Sequence, residues 1–264
     1  MPGLTGGSWK QDITGHGHRS GTTCRETAGT QGCGAYSRLD VHAPAPDPTV
    51  WLYHRFPLSL REVEEMMMAR GVLVTYETIH QWCRKFGQAL ANGLRRRQPR
   101  PGDKWHLDEV FIKIKGKTHY LWRAVDQDGV VLDILVTSRR DAKAATRFFR
   151  KLPRGVRSVP RVLVTDKLAS YGVAHRRLMR GVEHRRPKYL NNRAENSHQP
   201  TRQRERAMKK FASPGGAQRF LSVFSGISPY FRPRRHRLTT TQYRHEMTTR
   251  FTAWNEVVGL PTTA

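Results

Sequence analysis

A change in hydrophobic period near residue 104 is the feature that most restricts the possible folds. In KWHLDEVFIKIKGK, alternate residues from Asp108 to Ile114 fall on one face of a strand, and glycines mark turns to two further strands, THYLWRAVD and VVLDILVTS. A helical stretch, RRDAKAATRFFRKL, then precedes the short apolar run RVLVT. Because this fourth strand follows a helix, we expect it to be parallel and buried on both faces.

Three acids fall at positions where this arrangement could bring them together. The order β-β-β-α-β-α predicts an α/β, ribonuclease-H-like domain with a mixed sheet over residues 104–212, preceded by a small all-α domain. Asp166 directly follows the fourth strand, at the end where reactive groups collect in open α/β sheets. Asp108 is an acid on an otherwise apolar strand face, and Glu195 lies in the first turn of a helix that begins near Asn192.

Each of these acids also has a simpler explanation. Asp108 could be a strand-edge charge, Asp166 a turn or N-cap residue, and Glu195 one half of a capping box with Asn192. For each acid taken alone, this structural role is more common than a catalytic role. Three such acids in a strongly cationic chain nevertheless favour a shared site.

The charge of the chain indicates a polyanionic partner. The 264 residues include 47 Lys+Arg and 21 Asp+Glu, a formal net charge of +26 at pH 7. Neutralising phosphates releases condensed counterions, so nucleic acid is the expected partner. No run approaches the roughly 18 apolar residues of a membrane span, and no secretory signal is visible. Cys24, Cys33 and Cys83 are too few and too irregularly spaced for a zinc site or a disulfide framework, which favours a reduced, cytoplasmic and nucleoid-associated setting.

Residues 1–48 are predicted to be a disordered or non-homologous leader. They hold four basic and four acidic residues and nine of the 22 glycines, with no apolar period of 3.6 or 2. A sequence-frame error or a fusion scar upstream of the true domain explains them equally well. The whole net charge therefore lies in residues 49–264.

Residues 49–94 are predicted to form a helix-turn-helix DNA-binding domain. Ser59 and Glu62 form a capping-box signature, and Thr75 can cap a second helix with an apolar face. The side chains of that helix expected to reach DNA are Tyr76, His80, Gln81, Arg84 and Lys85. An ordinary helical hairpin with a solvated polar face is the alternative, and the charge of the chain favours DNA binding.

The segments that flank the sheet domain are also basic. Residues 95–103 are predicted to be a basic linker that runs along a phosphate backbone through Arg95, Arg96 and Arg97. Residues 213–264 are predicted to be a C-terminal helical segment and basic tail, with RPRRHRLTTTQYRH as mostly tail.

Most of the chain resembles one known family. Residues Trp51 to His236 are similar to insertion-sequence transposases of the DDE type, in the IS-six-type group. The similarity is carried by WHLDEVFIKIKGKTHYLWRAVDQDG, VTDKLASYG, VEHRRPKYLNNRAENSHQPTRQRERAMKKF and LSLREVEEMMMARGV. By this resemblance the family's two aspartates and its glutamate fall on Asp108, Asp166 and Glu195, and its later basic residue falls on Arg202.

The resemblance implies a transposase that cleaves the ends of its insertion sequence and joins the 3′ ends to target DNA. The three acids would be catalytic and would bind Mg²⁺, for which Mn²⁺ can substitute, because such ions prefer hard oxygen ligands. Arg202 and Lys167 would contact DNA, and a homo-oligomer would assemble on the terminal inverted repeats and target DNA.

Three alternatives stay open at this stage. A nuclease derived from a transposase would share the three acids, and a non-transposing DNA-binding protein would need only the helices. A tyrosine recombinase built on Arg235, His236 and Tyr243 is the third and weakest alternative. Separately from these alternatives, the atypical N-terminus could impair this copy.

Overall fold

The computed structural model describes residues 47–186, 191–208 and 211–259. Residues 1–46 of the predicted leader lie outside the described residues. Its last two residues begin helix α1 (Asp47–Arg55), which is followed by α2 (Leu60–Met68) and α3 (Tyr76–Arg97). The capping box of Ser59 with Glu62 and the Thr75 cap are both formed, as predicted. Since α3 continues to Arg97, the first three residues of the predicted linker are helical instead.

The sheet domain follows in the predicted order. Strands β1 (Lys104–Ile114), β2 (Lys117–Asp126) and β3 (Val131–Thr137) precede α4 (Ala142–Val156), β4 (Val162–Thr165), α5 (Ala169–Leu178) and a short β5 (Glu183–Arg185). The sheet order is β3-β2-β1-β4-β5. Strands β1, β2 and β3 pair antiparallel, and β4 lies parallel between β1 and β5. This mixed sheet confirms the predicted α/β, ribonuclease-H-like class.

Four α-helices and a short 3₁₀ helix (Arg235–Arg237) complete the described chain. The helix predicted to begin at Asn192 is present as α6 (Asn192–Ser197), but it ends at His198, and α7 (Gln199–Ala207) begins anew with Pro200 in its first turn. Helices α8 (Pro214–Ile227) and α9 (Thr240–Val258) follow. Because α9 includes the last residues of the segment predicted to be a basic tail and buries Trp254, that part of the prediction is corrected.

The two faces of the sheet are buried against different helices. On the α4/α5 face, Trp105, Leu107 and Trp122 pack with Phe148 and Phe149. On the α8 face, the side chains Val110, Ile112 and Ile114 pack with Ala217 and Leu221.

Helix α8 also belongs to a second core, formed by helices from both ends of the described chain. Val223 and Ile227 of α8 pack with Val63 of α2, Ile79 of α3 and Trp254 of α9. The predicted N-terminal and C-terminal helical segments therefore pack together, although the whole sheet domain separates them in the sequence. Over the described ranges, no helix is both long and apolar enough to cross a membrane.

Candidate active site

Three carboxylates meet where β1 and β4 lie side by side. The parallel register places Leu107 opposite Thr165, so Asp108 and Glu109 of β1 lie beside Asp166, which follows β4. One oxygen from each of these three acids lies within 4.8 Å of the others. Three hard oxygen ligands this close fit a divalent cation such as Mg²⁺. The structure thus brings together two of the three predicted acids, together with Glu109, which was not predicted.

Glu195, the third predicted acid, lies outside this group. It is exposed on α6, whose N-cap is Asn191 and not Asn192. The third residue after that cap is Ala194, so Glu195 does not occupy the capping-box position that the simpler explanation requires. The helix is nevertheless anchored near the carboxylates, because the side-chain amide of Asn191 donates to Leu107 O at 2.9 Å.

Asp166 makes the turn contact of the simpler explanation, and part of its carboxylate is still exposed at the site. Its Oδ1 accepts from the backbone N–H of Leu168 at 3.0 Å, which is the turn contact expected of an aspartate after a strand. Its Oδ2 lies 3.7 Å from the Arg140 guanidinium, and 36% of its side chain is exposed. The turn contact therefore orients this carboxylate without burying it.

Asp108 faces the α8 side of the sheet. Its side chain is 15% exposed, and its Oδ2 lies 3.3 Å from Nε2 of His198. Burial lowers the pKa of His198, so the imidazole is neutral at neutral pH. Across the strand pair, Asp108 is in register with Arg123, a buried cation that donates to Ser197 O at 2.9 Å and to the Thr201 hydroxyl. Burial lowers the pKa of Arg123 to about 10, which leaves it charged.

Glu109 faces the α4/α5 side and is held by two protein donors. The Tyr171 hydroxyl donates to its Oε2 at 2.6 Å, and Arg140 donates to its Oε1 at 2.6 Å. Burial raises the pKa of Glu109 to about 7, and the charges of Asp166 and Asp108 act in the same direction, while Tyr171 and Arg140 oppose them. Only 3% of this side chain is exposed, so Glu109 is far less open to a ligand than Asp166.

The predicted DNA contacts separate into exposed and engaged side chains. The exposed ones are His80, Gln81, Arg84, Lys85, Arg96, Arg97, Lys167 and Arg202. Tyr76 is half-buried, and the Arg61 guanidinium lies 4.9 Å from the centre of its ring.

Two of the predicted linker arginines contact neighbouring helices. Arg95 is half-buried and donates to Ser222 O and the Ser225 hydroxyl of α8, and burial lowers its pKa. Arg97 forms a 3.2 Å ion pair with Glu256 of α9. These contacts engage both side chains within the protein, and their contact with a phosphate backbone stays a prediction.

The sequence patterns missed several residues around the carboxylates. Arg123 had a visible signal, since it is a cation within the apolar strand THYLWRAVD. Glu109 follows Asp108 directly, but strand alternation assigned it to the opposite face and gave no reason to include it. Arg140, Tyr171 and His198 had no local signal, because their positions depend on how α4, α5 and α7 pack on the sheet.

Comparison with known proteins decides the family. Residues 102–233 match a family model described as "DDE domain". The transposase for insertion sequence element IS257 in transposon Tn4003 of Staphylococcus aureus is 34% identical over 154 residues, which cover 56% of this chain and 68% of that protein. The transposase for insertion sequence-like element IS431mec of S. aureus strain N315 gives the same identity and coverage. The chain belongs to the DDE transposases of insertion sequences. It is therefore an enzyme of DNA transposition, and the non-transposing alternatives are not favoured.

Solved structures in the same comparison include two catalytic domains. The catalytic core domain of BIV integrase is 19% identical and covers 56% of this chain and 98% of its own, with a TM-score of 0.39. The catalytic domain of Mos1 mariner transposase is 14% identical and covers 67% and 90%, with a TM-score of 0.38. The family assignment rests on the sequence matches. A DDE transposase uses divalent metal ions, and the carboxylates of Asp108, Glu109 and Asp166 are of the right type and spacing to hold one.

Proposed function

We propose that this transposase nicks the ends of its insertion sequence and joins the resulting 3′ ends to target DNA, with Mg²⁺ held by Asp108 and Asp166. The observation that carries the proposal is the meeting of these two acids beside the central strand pair, within the residues that match the DDE domain. A phosphate backbone is attracted to this site by a chain whose net charge is +26.

The residues around the metal have separable tasks in this proposal. Asp166, with 36% of its side chain exposed, would hold a metal ion at the open side of the site, where a DNA phosphate can enter. Asp108 would hold it from the more buried side, with its carboxylate beside His198. When bound, divalent ions activate the attacking oxygen and stabilise the leaving oxygen of an in-line displacement. No side-chain nucleophile is needed, because water and then a DNA 3′ hydroxyl attack.

We assign the third metal ligand to Glu195. Its position in the family motif supports this, as does its exposed carboxylate on a short helix tied to the backbone beside Asp108. Glu109 is the competing candidate, but its two oxygens are already occupied by Tyr171 and Arg140. We therefore expect α6 to move Glu195 towards the other two acids when metal and DNA bind.

DNA recognition is assigned to exposed side chains outside the carboxylate group. We propose that His80, Gln81, Arg84 and Lys85 of α3 contact the terminal inverted repeats, as the second helix of a helix-turn-helix does. The side chains of Arg96, Lys167 and Arg202 would contact phosphates. We also propose that two or more copies assemble on the DNA, which places the protein at the nucleoid.

A strand-transfer assay tests this function. The full-length protein is incubated with Mg²⁺, DNA that carries the element's ends and a supercoiled target plasmid. We expect nicking and joining by the unchanged protein. Asp108→Asn and Asp166→Asn should each bind DNA normally but lose nicking by roughly 10³-fold or more, because several kcal/mol of transition-state stabilisation disappears.

The matched control for these variants is Asp103→Asn, which makes the same change at an exposed acid near the start of β1. It should leave nicking unchanged. Nicking without joining would reduce the function to that of a nuclease. Full activity in Asp108→Asn or Asp166→Asn would remove that residue from the metal site.

A further inference from the structure

The exposed side of α4 is a stripe of cations with no acid within the helix. Its members follow the spacing i, i+4, i+7, i+8 and i+11, so they share one face. Together with Arg177 of α5 they line an open groove of about 710 Å³, and the six cations are Lys143, Arg147, Arg150, Lys151, Arg154 and Arg177. We call this surface the α4 groove.

Most of these charges are not neutralised within the protein. Lys151 pairs with Asp133 of β3 at 2.6 Å. Across the described ranges, none of the other five cations makes an ion pair with a carboxylate. Such a cluster opposes the compact state through self-repulsion. Folding does not require it, because the opposite side of α4 supplies the core residues Phe148 and Phe149.

The α4 groove begins beside the active site. Arg140, two residues before α4 starts, contacts both Glu109 and Asp166. At a rise of about 1.5 Å per residue, the stripe from Lys143 to Arg154 leads roughly 16 Å away from that end. Over residues 142–180 the sequence contains 11 Lys+Arg and one acid, which is Asp166 itself. The stripe therefore extends outward from the side of the carboxylate group where Arg140 lies, within a strongly basic stretch of the chain.

We propose that the α4 groove binds the phosphate backbone of a DNA duplex that reaches the active site, in addition to the contacts made by α3. This rests on the proposed function in that the active site must receive DNA. Duplex DNA carries about one negative charge per 1.7 Å of its axis, which matches a row of closely spaced cations. A second copy of this chain would bring an equally cationic surface to the groove. Residues 1–48 have equal numbers of acidic and basic residues, so they cannot neutralise it either.

The test removes three charges from the groove without disturbing the core. In Arg147→Gln/Arg150→Gln/Arg154→Gln, all three side chains are exposed, and glutamine keeps a similar helix preference. The matched control, Arg219→Gln/Arg237→Gln/Arg244→Gln, removes three exposed arginines from the region of α8 and α9. Lys151 is left unchanged because Asp133 would lose its partner. Circular dichroism and melting temperature should match the unchanged protein in both variants.

Binding is measured without divalent metal, by fluorescence anisotropy on a random duplex of about 30 base pairs, from about 50 to 200 mM salt. We expect the groove variant to lose roughly tenfold in affinity at 0.1 M salt per phosphate contact removed. The slope of log K against log salt should shrink by about 0.9 per contact. The control variant should stay within about threefold of the unchanged protein, since its charges act only through the general field. Equal losses of DNA affinity in the two variants would overturn the proposal. No loss of affinity in the groove variant would also overturn it, and this is the result expected if the groove binds an acidic protein instead of DNA.

A further experiment identifies which DNA duplex the α4 groove binds. With element ends already cut, loss of joining while nicking of intact ends persists would identify the target duplex as the ligand. Loss of both steps would identify the element's own end. Because affinity is measured without metal, a protein that binds through the groove but fails to nick or join would contradict the proposed function and leave the groove proposal standing.

Discussion

Helices α4 and α5 cover one face of the sheet as a single layer, and the outer side of α4 is exposed and cationic. The other face is covered by α8, and the far side of α8 packs on the helical core formed with α1, α2, α3 and α9. One face therefore offers a free surface to a large anionic ligand. The other is joined to the helices that we assign to DNA recognition.

The two neighbouring acids of β1 belong to these different faces. Asp108 points to the α8 face and lies beside His198, whereas Glu109 points to the α4/α5 face and accepts from Tyr171 and Arg140. The difference in exposure follows, since 15% of the Asp108 side chain is accessible against 3% for Glu109. Asp108 and Asp166 are thus the more accessible carboxylates, as our proposal that they bind metal requires, whereas Glu109 is engaged by Arg140 and by Tyr171 of α5.

The largest expected effect is a loss of nicking that distinguishes Glu195 from Glu109 as the third metal ligand. Glu195→Gln should lose nicking by roughly 10³-fold, as for the two aspartates. In Glu109→Gln the new amide oxygen can still accept from Tyr171 or Arg140, so nicking should fall by less than about tenfold. Both variants are measured with Mg²⁺ on the same intact DNA that carries the element's ends, with DNA affinity as the control. The reverse order of losses would make Asp108, Glu109 and Asp166 the metal centre and exclude Glu195.

The parts of the site that the sequence predicted are those fixed by local pattern. Strand alternation placed Asp108 on a buried face, and the end of an apolar run placed Asp166 beyond β4; both positions are confirmed. Arg140 and Tyr171 could not be placed in this way, because only the packing of α4 and α5 on the sheet brings them to Glu109.

The same limit applies to the fold. The order of strands and helices along the chain was predicted from periodicity, since each element is specified by its own residues. The contact of α3 with α8 was not, because it joins segments more than a hundred residues apart. That contact also gives Arg95 a structural role that the sequence did not predict.

The next effect in size contrasts a buried histidine, His54, with a half-buried one, His184. His54 of α1 lies against Phe220 of α8, and burial lowers its pKa from 6.5 to about 4. Below pH 6.5 the unfolded chain binds a proton here that the folded chain does not. The free energy of unfolding should therefore fall as pH drops from about 6.5 to about 4, by up to about 3 kcal/mol. Above pH 6.5 this contribution is fully present and constant.

Urea denaturation between pH 7 and pH 4 measures this slope as the difference between the unchanged protein and His54→Gln. The comparison variant is His184→Gln on β5, where burial also lowers the pKa of the histidine to about 4. His184 is only half-buried, so water screens its charge and the slope lost there should be smaller. An equal or larger change in His184→Gln would mean that the α1–α8 contact is less tightly closed than the structure has it.

The smallest expected effect tests how closely α8 approaches α3. A Cβ added to Gly226 would lie 2.8 Å from Ala91 Cβ and 3.3 Å from Ala91 Cα, so a backbone would have to move. Overpacking lowers the free energy of unfolding by about 1–3 kcal/mol, and the higher helix preference of alanine offsets up to about 1 kcal/mol of this loss. Gly226→Ala should therefore lower the free energy of unfolding by up to about 2 kcal/mol. Gly215→Ala, earlier in the same helix, meets only the Arg219 guanidinium at 3.6 Å and should be neutral or slightly stabilising.

Removing the opposing methyl group separates the contact from the helix preference. In the double variant Ala91→Gly/Gly226→Ala, the two helices exchange the small and the large residue at one crossing, so the clash with Ala91 Cβ disappears. A double-variant cycle in urea should then show a favourable coupling of roughly 1 kcal/mol, because residues in direct contact are not additive. Additive changes would mean that α3 and α8 are farther apart. The α8 face would then resemble the α4/α5 face, with a single layer of helices that moves independently of the recognition helices.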